Sequence, residues 1–487
     1  MQSEGGGSCH LTLTTCHFPF VAESWTLDVK GKRVLVVGLG KSGVASATFL
    51  RDRGARVTVS DAKTEDQLRS AIPALLDKGI SVETGGHGER TFRDQDLIVV
   101  SPGVPTDVPQ LEKARAHGIP IIGEVELASR FLKGHIIAIT GSNGKTTTTA
   151  LAGEVIAMGG YEVLVGGNIG TPAISLVAEA TSDTYNVLEI SSFQLESIQT
   201  FHPEIAVILN ITPDHLDRHH SFDAYVRAKA RILENQAAQD HAVLNADDPT
   251  CAGLAGRTKA HVRWFSRIKE VERGAFLREG KIFSRDEGGD QEVMATSGIA
   301  LKGAHNLENV LAAVVVGRIV GCEPHRIRRA VEEFKAVEHR LEYVTTIQGV
   351  EYYNDSKATN VDATIKALES FPGNIHIILG GKDKGSDYSL LKDLLHSRAK
   401  RAYTIGAAAQ KIEGQIAGAV PVLRAETLET AVKRAAESAA PGDVVLLAPA
   451  CASFDQFESF EHRGRVFKET VQALAARKTS SEVGGAA

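Results

Sequence analysis

The sequence has 487 residues, of which 43% are hydrophobic and 23% are charged, and its formal net charge is −6. At about 150 residues per domain, this length favours roughly three domains. The mild excess of acidic residues argues against a broad nucleic-acid interface, which needs a basic face, so we expect no nucleic-acid partner. No apolar run approaches the roughly 20 residues of a membrane-spanning helix, so we expect no membrane partner either.

The cysteines and the two ends of the chain indicate the compartment. The five cysteines are Cys9, Cys16, Cys251, Cys322 and Cys451. Their scatter and the lack of a Cys-x-x-Cys pair predict free thiols in a reducing cytoplasm. Residues 1–28 have neither the basic start nor the long apolar segment of a signal peptide, so we interpret them as a flexible N-terminal extension or as the result of an upstream start codon. We also predict a flexible tail over residues 476–487.

Short apolar runs alternate with helical segments in three successive regions, 29–123, 124–336 and 337–475. The predicted strands are 34–37, 57–59, 97–100 and 119–122 in the first region, 136–140, 187–190, 206–209 and 242–244 in the second, and 350–353, 375–379, 401–405 and 444–447 in the third. Segment 262–291 is predicted to form hairpins or loops, and 303–321 an amphipathic helix. This alternation predicts parallel sheets with helices on both faces.

A glycine-rich loop follows the first predicted strand. Residues Gly38–Gly43, GLGKSG, fit G-x-G-x-x-G between a strand and a helix, where backbone N–H groups can approach a phosphate. Asp61 ends the next strand, where an acid can accept ribose hydroxyls. The loop therefore indicates a nucleotide diphosphate, with a tight strand-to-helix turn as the alternative. Ser101–Gly103 follows another strand at the same edge, and is either a ligand loop or a turn.

A second loop, Thr140–Thr147, favours ATP binding. Its backbone can cradle phosphates, Lys145 can reach the terminal phosphates, and Thr146 can ligate Mg²⁺. Ile139 stands where the standard P-loop has its first glycine. The residues predicted to contact ATP here are Gly141, Ser142, Asn143, Gly144, Lys145, Thr146 and Thr147. The fold class is therefore α/β in three domains: a Rossmann-like N-terminal domain, a central P-loop ATPase-like domain with a mostly parallel sheet, and a C-terminal Rossmann-like domain.

Metal chemistry needs oxygen ligands near that loop. Glu189 ends a predicted strand, where a carboxylate suits Mg²⁺. His215 follows the next strand and is either a ligand or a structural hydrogen-bonding group, whereas His219 and His220 are predicted to be solvated. Lys229 lies on a predicted helix. Spacing alone makes it an ordinary solvated lysine.

Several loops of the third region follow predicted strands. The planar guanidinium of Arg340, with its several N–H donors, can reach a nucleotide phosphate. Loop 354–360 is either a helix cap or a ligand loop. Loop 380–385 combines glycines with two lysines, and loop 448–455 follows the last strand. Ligands bind at the carboxyl ends of parallel strands in this architecture, so these loops are candidate contacts.

Taken together, these motifs resemble those of the Mur ligase family, which adds amino acids to the bacterial cell-wall precursor. The segments TGSNGKTTT, GGNIG, NADDP, GAHNLEN, EHRLE, NDSKATN and GGKDKG occur in the family's order, and the resemblance covers residues 29–475. Three features resemble in particular the members that add D-glutamate: GLGKSG with Asp61 and SPG, the segment LEISSFQLE, and the segment PACASFDQFESFEHRG.

The resemblance implies a reaction. ATP phosphorylates the carboxylate of UDP-N-acetylmuramoyl-L-alanine (UDP-MurNAc-L-Ala), and the amine of D-glutamate attacks the acyl phosphate to give an amide, ADP and phosphate. It implies a monomer in the bacterial cytoplasm, serving the peptidoglycan synthesis on which cell shape and division depend. The rivals are another Mur or folylpolyglutamate-type amide ligase, an NAD-linked oxidoreductase built on GLGKSG, and a non-catalytic nucleotide-binding regulator.

The resemblance also implies the roles of individual residues. Two Mg²⁺ ions, for which Mn²⁺ could substitute, would be held by Thr146 and Glu189 at the first site, and by Glu189, His215 and a carbamate of Lys229 at the second. The catalytic residues would be Lys145, Glu189, His215 and Lys229. Outside the P-loop, Asn309 would face adenine, Arg340 the ATP phosphates and Asp355 the ribose.

The two other substrates have their own implied residues. The UDP-substrate would contact Gly40, Lys41, Ser42, Asp61, Ser101, Gly103 and Asn168. D-glutamate would contact Thr359, Lys384, Ser453 and Phe460, with Lys384 pairing with its carboxylates.

Overall fold

The computed structural model describes residues 27–168, 170–301, 303–335 and 338–484. Residues 1–26, which make up nearly all of the predicted extension, lie outside the described residues, and so does the predicted boundary between residues 336 and 337. The domain limits therefore stay predictions. No helix among the described residues is long and apolar enough to cross a membrane.

The first region forms a five-stranded parallel sheet in the order β3-β2-β1-β4-β5. Its strands are β1 (Arg33–Val37), β2 (Arg56–Ser60), β3 (Ser81–Glu83), β4 (Leu97–Val100) and β5 (Ile121–Gly123). Its helices are α1 (Lys41–Asp52), α2 (Glu65–Leu68), α3 (Ile72–Asp77), α4 (Glu89–Arg93), α5 (Pro109–Ala116) and α6 (Glu124–Ser129). From β1 the chain adds β2 and β3 on one side of the sheet, and it then crosses over to add β4 and β5 on the other side. This change of side between β1 and β4 opens a crevice at their carboxyl ends.

The second region forms a nine-stranded sheet in the order β14-β13-β12-β11-β10-β9-β6-β8-β7. Its strands are β6 (His135–Thr140), β7 (Val163–Gly167), β8 (Tyr185–Glu189), β9 (Ile205–Ile208), β10 (His241–Asn245), β11 (His261–Ser266), β12 (Gly274–Arg278), β13 (Lys281–Asp286) and β14 (Gly289–Ala295). The segment expected to hold hairpins or loops does carry the antiparallel pairs β12–β13 and β13–β14, but it also holds most of β11, which pairs in parallel with β10 and β12. The strands from β6 to β12 all pair in parallel.

The helices of the second region cover both faces of this sheet. They are α7 (Lys145–Met158), α8 (Ala173–Leu176), α9 (Ser192–Leu195), α10 (Leu216–His219), α11 (Phe222–Ala230), α12 (Pro249–Ala252), α13 (Ala304–Val320) and α14 (Pro324–Glu333), with 3-10 turns at Arg231–Leu233, Ala255–Arg257 and Thr296–Gly298. Helix α13 was expected to be amphipathic, but most of its residues are buried. It packs against α7 and against β10 to β13, so that both sides of the helix meet protein.

The third region forms a six-stranded sheet in the order β15-β16-β20-β17-β18-β19, parallel except for the β15–β16 pair. Its strands are β15 (Glu342–Ile347), β16 (Val350–Asn354), β17 (Ile375–Gly380), β18 (Ala399–Ile405), β19 (Val422–Glu426) and β20 (Val444–Leu447). Its helices are α15 (Val361–Glu369), α16 (Lys392–Arg398), α17 (Ala409–Gln415), α18 (Leu428–Ser438) and α19 (Phe460–Gly484), with a 3-10 turn at Tyr388–Leu391. Helix α19 continues into the predicted tail as far as Gly484.

The predicted α/β fold class is confirmed, and four of the strands that the sequence did not reveal share one position, whereas β11 is an inner strand that the prediction placed in the hairpin or loop segment. β3, β7, β15 and β19 each lie at the edge of a sheet. An edge strand is covered less completely than a central one, so it lacks the continuous apolar run by which the inner parallel strands were found. The inner strands β1, β4, β8, β9, β17 and β20 are almost wholly buried.

Candidate active site

A cavity of about 1180 Å³ lies where the carboxyl edges of the three sheets meet, and loops of all three regions line it. The predicted site residues that line it are Gly40, Lys41, Ser42, Asp61, Ser101, Gly103, Ser142, Asn143, Lys145, Thr146, Asn168, Glu189, His215, Arg340, Thr359 and Phe460. Those that do not are Gly141, Gly144, Thr147, Lys229, Asn309, Asp355, Lys384 and Ser453. Residues chosen from three separate regions of the sequence therefore converge on one space.

The P-loop wraps around the start of α7. Gly144 has φ +85°, and a Cβ there would lie 2.2 Å from Oδ1 of Asn309, so the loop requires glycine at this point. Asn309 supports the loop from behind, where its Oδ1 accepts from the Thr148 hydroxyl at 3.1 Å. Lys145 folds back over the loop and donates to the carbonyl oxygens of Gly141 at 2.8 Å and Ser142 at 3.0 Å. The lysine thus lies over the loop that would cradle phosphates.

Glu189 is the buried acceptor at the centre of the site. Its two carboxylate oxygens accept from the Thr146 hydroxyl at 2.7 Å and from Nδ2 of Asn168 at 2.9 Å, and the residue is 1% exposed. Burial alone would raise its pKa, but the charges of Lys357 and Lys145 and the two hydrogen bonds together hold the pKa of Glu189 below its ordinary value. The carboxylate is therefore ionised.

Lys357 is a site residue that the sequence reasoning missed. It lies in the NDSKATN segment and lines the cavity, and its Nζ donates to the Thr146 hydroxyl at 2.8 Å. Burial, reinforced by the nearby charges of Arg340 and Lys145, lowers the pKa of Lys357 to about 8, although Glu189 opposes the shift. Its place in a polar loop after a strand was the signal that could have identified it.

The expectation from spacing that Lys229 is solvated is wrong. Lys229 is 1% exposed, and its Nζ donates to the carbonyl of Gly141 at 2.8 Å and to the hydroxyl of Thr140 at 3.3 Å. Its Nζ also lies 4.8 Å from the centre of the Tyr225 ring, and among the described residues it forms no ion pair with a carboxylate. Burial and the charge of Lys145 place the pKa of Lys229 well below its ordinary value. The helix points this side chain inward, beneath the P-loop.

The two neighbouring histidines differ in their surroundings. His215 lines the cavity, with Nε2 3.6 Å from a carboxylate oxygen of Asp214 and its ring against the edge of Phe193. Burial, together with the charges of Lys384, Lys145 and Lys229, lowers the pKa of His215 although Asp214 opposes the shift. A neutral imidazole is the form that binds metals.

The prediction that His219 is solvated is wrong. It is buried, with Nε2 3.0 Å from the Ser192 hydroxyl and Nδ1 3.3 Å from a carboxylate oxygen of Glu196, and its ring stacks on Phe193. The short helix α10 turns His219 toward α9, whereas His220 is exposed as expected. The sequence around both histidines is typical of a loop, so it did not show that His219 points into the protein and His220 into solvent.

In the first region, Asp61 and Ser101 hold the glycine loop. The two carboxylate oxygens of Asp61 accept from the backbone N–H groups of Leu39 at 2.6 Å and Lys63 at 2.8 Å. The hydroxyl of Ser101 donates to the carbonyl of Gly38 at 2.9 Å. A Cβ at Gly43 would lie 1.8 Å from that same carbonyl oxygen, so the close approach requires glycine. Each carboxylate oxygen of Asp61 retains a lone pair that can accept from a ligand hydroxyl.

The third region contributes the far wall of the cavity. Arg340, Thr359 and Phe460 line it, whereas Ser453 is buried and Lys384 is exposed outside it. Lys384 is still close enough to act on the charge of His215. Burial raises the pKa of Asp355 to about 6, although the positive charge of Arg340 opposes the shift.

Polar contacts join the third region to the P-loop side of the central sheet. Asp362 accepts from Nδ2 of Asn143 and, at 3.1 Å, from the hydroxyl of Thr212. Nδ2 of Asn360 donates to Asp214 at 3.0 Å. These contacts hold the two regions together across the cavity, and sequence reasoning did not identify Asp214, Asn360 or Asp362.

Comparisons with known proteins agree with this arrangement. Three family descriptions match in succession: the N-terminal domain of MurD-like Mur ligases over residues 32–123, the Mur ligase middle domain over 139–317, and the Mur ligase glutamate ligase domain over 339–451. Together they cover most of the chain.

Curated relatives and solved structures give the same family. The UDP-N-acetylmuramoylalanine–D-glutamate ligase of Koribacter versatilis is 67% identical over 93% of this chain and 100% of its own length, and that of Acidobacterium capsulatum is 59% identical over 92% and 97%. The fold is similar to that of the MurF ligase from Thermotoga maritima in complex with ADP, with a TM-score of 0.59 and 18% identity over 92% of this chain and 97% of that one. It is also similar to a pseudomurein peptide ligase type C from Methanothermus fervidus, with a TM-score of 0.58 and 22% identity over 91% and 100%. The chain belongs to the Mur ligase family.

Proposed function

We propose that this protein is an ATP-dependent ligase that forms an amide between UDP-MurNAc-L-Ala and D-glutamate, a step of peptidoglycan precursor synthesis. The observation that carries the proposal is the 67% identity, along the full length of the relative, to a UDP-N-acetylmuramoylalanine–D-glutamate ligase. The convergence of a P-loop, a buried carboxylate and several lysines on one cavity supports it, since these groups suit phosphoryl transfer.

The chemistry proceeds in two steps. A carboxylate oxygen of UDP-MurNAc-L-Ala attacks the terminal phosphorus of ATP, and the bond from that phosphorus to ADP breaks. The amine nitrogen of D-glutamate then attacks the acyl carbon, the carbon–oxygen bond to phosphate breaks, and the nitrogen loses a proton. Lys145 and Lys357 lie where they can offset the negative charge that collects when ATP meets a carboxylate.

Magnesium fits the donor set at the start of α7. The Thr146 hydroxyl and the Glu189 carboxylate are hard oxygen donors already in contact at 2.7 Å, and Glu189 is ionised despite its burial. We infer that these two residues hold one Mg²⁺, and that Glu189 and His215 contribute to a second. Bound Mg²⁺ would neutralise phosphate charge. Mn²⁺ has similar ligand preferences and could replace it.

We also infer that Lys229 carries a carbamate. A carbamate forms when a neutral lysine amine attacks CO₂ and releases a proton, so it requires an unprotonated amine, which the downward shift of the Lys229 pKa favours. The modification turns the buried amine into an anion beside Lys145, on the metal side of the cavity. The positive charges of Lys145 and of the bound metal would offset the cost of burying this anion.

The substrates occupy different parts of the cavity in this proposal. The UDP group binds the loops of the first region, where Gly40, Lys41, Ser42, Asp61, Ser101 and Gly103 line the wall, and Asn168 faces the muramoyl end. ATP binds the P-loop together with Asn309, Arg340 and Asp355. D-glutamate binds among Thr359, Lys384, Ser453 and Phe460. The monomeric state and the cytoplasmic location remain predictions.

Phosphate release tests the proposal. The purified protein should release phosphate from ATP only when UDP-MurNAc-L-Ala and D-glutamate are both present, and should form one amide per phosphate. Release with L-lysine, meso-diaminopimelate or a folate acceptor at a similar rate would instead indicate another ligase of the same type. Release without any acceptor, or none at all with both substrates, would contradict the proposal.

A further inference from the structure

Arg463 is the largest side chain that is fully buried among the described residues, with 0% exposure. It lies on α19, beneath the loops at the carboxyl edge of the C-terminal sheet. Among the described residues it forms no ion pair with a carboxylate, and all its hydrogen-bond acceptors are neutral oxygens. A buried charge without a partner is costly, so its presence needs a reason beyond packing.

The guanidinium joins loops that are far apart in the sequence. Nε and Nη2 donate to the hydroxyl and carbonyl of Ser356 at 2.9 and 2.7 Å, and Nη1 donates to the carbonyls of Cys451 at 3.2 Å and Ala452 at 3.4 Å. A Cβ placed on Gly381 would lie 3.2 Å from Nη1, so a third loop also passes close to the charge. Arg463 therefore lies at the junction of three loops.

Each of these loops carries one residue of the proposed D-glutamate site. Thr359 follows Ser356 in the first loop, Lys384 follows Gly381 in the second, and Ser453 directly follows Ala452 in the third. Phe460, the fourth residue of that site, begins the helix that carries Arg463. The charge thus lies at the base of the loops and helix that carry the groups expected to surround the incoming amino acid.

The charge persists at neutral pH. Burial lowers the pKa of Arg463 to about 10, although Cys451, Asp455 and Asp355 oppose the shift, so the guanidinium stays protonated. Solvent screens a buried charge such as that of Arg463 less than an exposed one, so it acts over a longer distance. D-glutamate carries two carboxylates and one ammonium, and therefore a net negative charge, when it enters the site.

We propose that Arg463 is a specificity-determining positioning residue whose buried positive charge favours a dicarboxylate amino acid at the three loops above it. The inference rests on the proposed function, because it names the group that selects the D-glutamate. It differs from a purely structural role, in which the planar fork would matter only for holding the loops. Arg463→Lys keeps the positive charge but loses the planar guanidinium, whereas Arg463→Gln loses the charge. Comparing the two variants therefore separates the specificity role from the structural role.

The test compares Arg463→Gln, Arg463→Lys and the control Arg465→Gln, which changes an exposed arginine on the same helix. The readouts are the KM values for D-glutamate, ATP and UDP-MurNAc-L-Ala, which do not depend on the fraction of folded enzyme. Arg463→Gln should raise the KM for D-glutamate at least about tenfold and that for ATP less than about threefold, the effect expected for removal of one nearby charge. Arg463→Lys should keep the KM for D-glutamate within about threefold, even where the melting temperature falls, because the charge remains.

Three results would overturn the proposal. The first is a KM for D-glutamate in Arg463→Gln that stays within about threefold of the wild-type value, and the second is a parallel rise in the KM values for ATP and D-glutamate. The third is an Arg463→Lys enzyme that is as impaired toward D-glutamate as Arg463→Gln. If Arg463→Gln yields no folded protein, Arg463→Lys decides alone, and a rise above about threefold overturns the proposal. A wild-type enzyme that does not use D-glutamate would refute the proposed function, whereas normal wild-type ligation with an unchanged Arg463→Gln would refute only this inference.

Discussion

The two edges of the central sheet hold their cations in opposite ways. At the carboxyl edge, Lys145 and Lys357 lie near the buried carboxylate of Glu189 and Lys229 lies beneath the P-loop, and burial lowers the pKa of each lysine. At the amino edge, each of two histidines has an acid of its own: His135 lies 2.5 Å from Glu204 and His202 lies 2.5 Å from Asp240.

This difference separates a site that is built for a ligand from one that is built for stability. The positive charge of Lys145 and Lys357 at the carboxyl edge is unfavourable in the isolated protein and becomes favourable when anionic phosphates and carboxylates arrive. The paired histidines are already satisfied and gain nothing from a ligand. Mutations at the first edge should therefore affect activity, and mutations at the second should affect unfolding.

The largest effect is expected from Lys145→Ala. Loss of the cation over the P-loop should lower kcat at least about a thousandfold, the size of effect seen when a transition-state charge loses its main partner. Binding of UDP-MurNAc-L-Ala to the first region should persist, as measured by calorimetry. Lys113→Ala, which removes an exposed lysine paired with Glu89, is the control and should behave as wild type. Substantial ligation by Lys145→Ala would show that the P-loop lysine does not face the phosphates.

Lys229→Ala should have the next largest effect, a loss of activity of about a hundredfold or more, because the carbamate would orient the metal. Added acetate or formate should restore part of the rate in Lys229→Ala but not in Lys229→Arg, where the guanidinium fills the space with the opposite charge. Arg227→Ala, on the exposed side of the same helix, is the control. A carbamate signal from wild-type protein in ¹³C-bicarbonate, absent from Lys229→Ala, would support the modification directly. Full activity of Lys229→Ala would exclude it.

Lys384→Ala should affect one substrate selectively. Loss of a charge-assisted contact to a carboxylate should raise the KM for D-glutamate about tenfold to a hundredfold, and leave that for ATP nearly unchanged. Lys382→Ala, which removes another exposed lysine of the same loop, serves as the matched control. Equal changes in the two KM values would mean that Lys384 acts on the arrangement of the loops rather than on the amino acid.

The smallest effect should come from the amino edge and should depend on pH. Hydrogen bonds to Glu204 and Asp240 raise the pKa values of His135 and His202, while burial opposes both shifts. Their stabilisation is therefore fully present below the unfolded pKa of about 6.5 and is lost as the pH rises through the folded pKa. His135→Gln and His202→Gln should each lower the free energy of unfolding by about 0.5 to 1 kcal/mol at pH 6, and by less at pH 9.

Urea denaturation at the two pH values measures this difference, with the exposed His396→Gln as the control. Activity should be unchanged in both histidine variants at a temperature where they remain folded. A destabilisation that grows from pH 6 to pH 9 would contradict the assignment of protonated histidines to these pairs.

Much of the site could be predicted from the sequence because ligand loops follow strands in a parallel α/β sheet. The glycines of the two phosphate loops, Glu189 and Arg340 all lie where the carboxyl edge would place them. Periodicity did not reveal Lys229, since its short helix offers no clear apolar face, and only the family resemblance singled it out. The structure shows why: the helix turns the lysine beneath the P-loop, a direction set by tertiary packing.

Contacts between regions were the other feature beyond the reach of the sequence. Lys357 donates to Thr146 and Asp362 accepts from Thr212, although more than a hundred residues separate the partners in each pair. His219 likewise owes its burial to α9. In each case a polar residue in loop-like sequence has a partner that only the assembled fold brings close.

The central claim is that the cations at the carboxyl edge serve the transfer of phosphate to a carboxylate. The most direct measurement follows ¹⁸O from UDP-MurNAc-L-Ala labelled in both carboxylate oxygens. Formation of an acyl phosphate predicts that each phosphate released in the presence of D-glutamate contains one ¹⁸O atom, while the other remains in the amide carbonyl. Phosphate without ¹⁸O, alongside normal formation of the amide, would contradict the account.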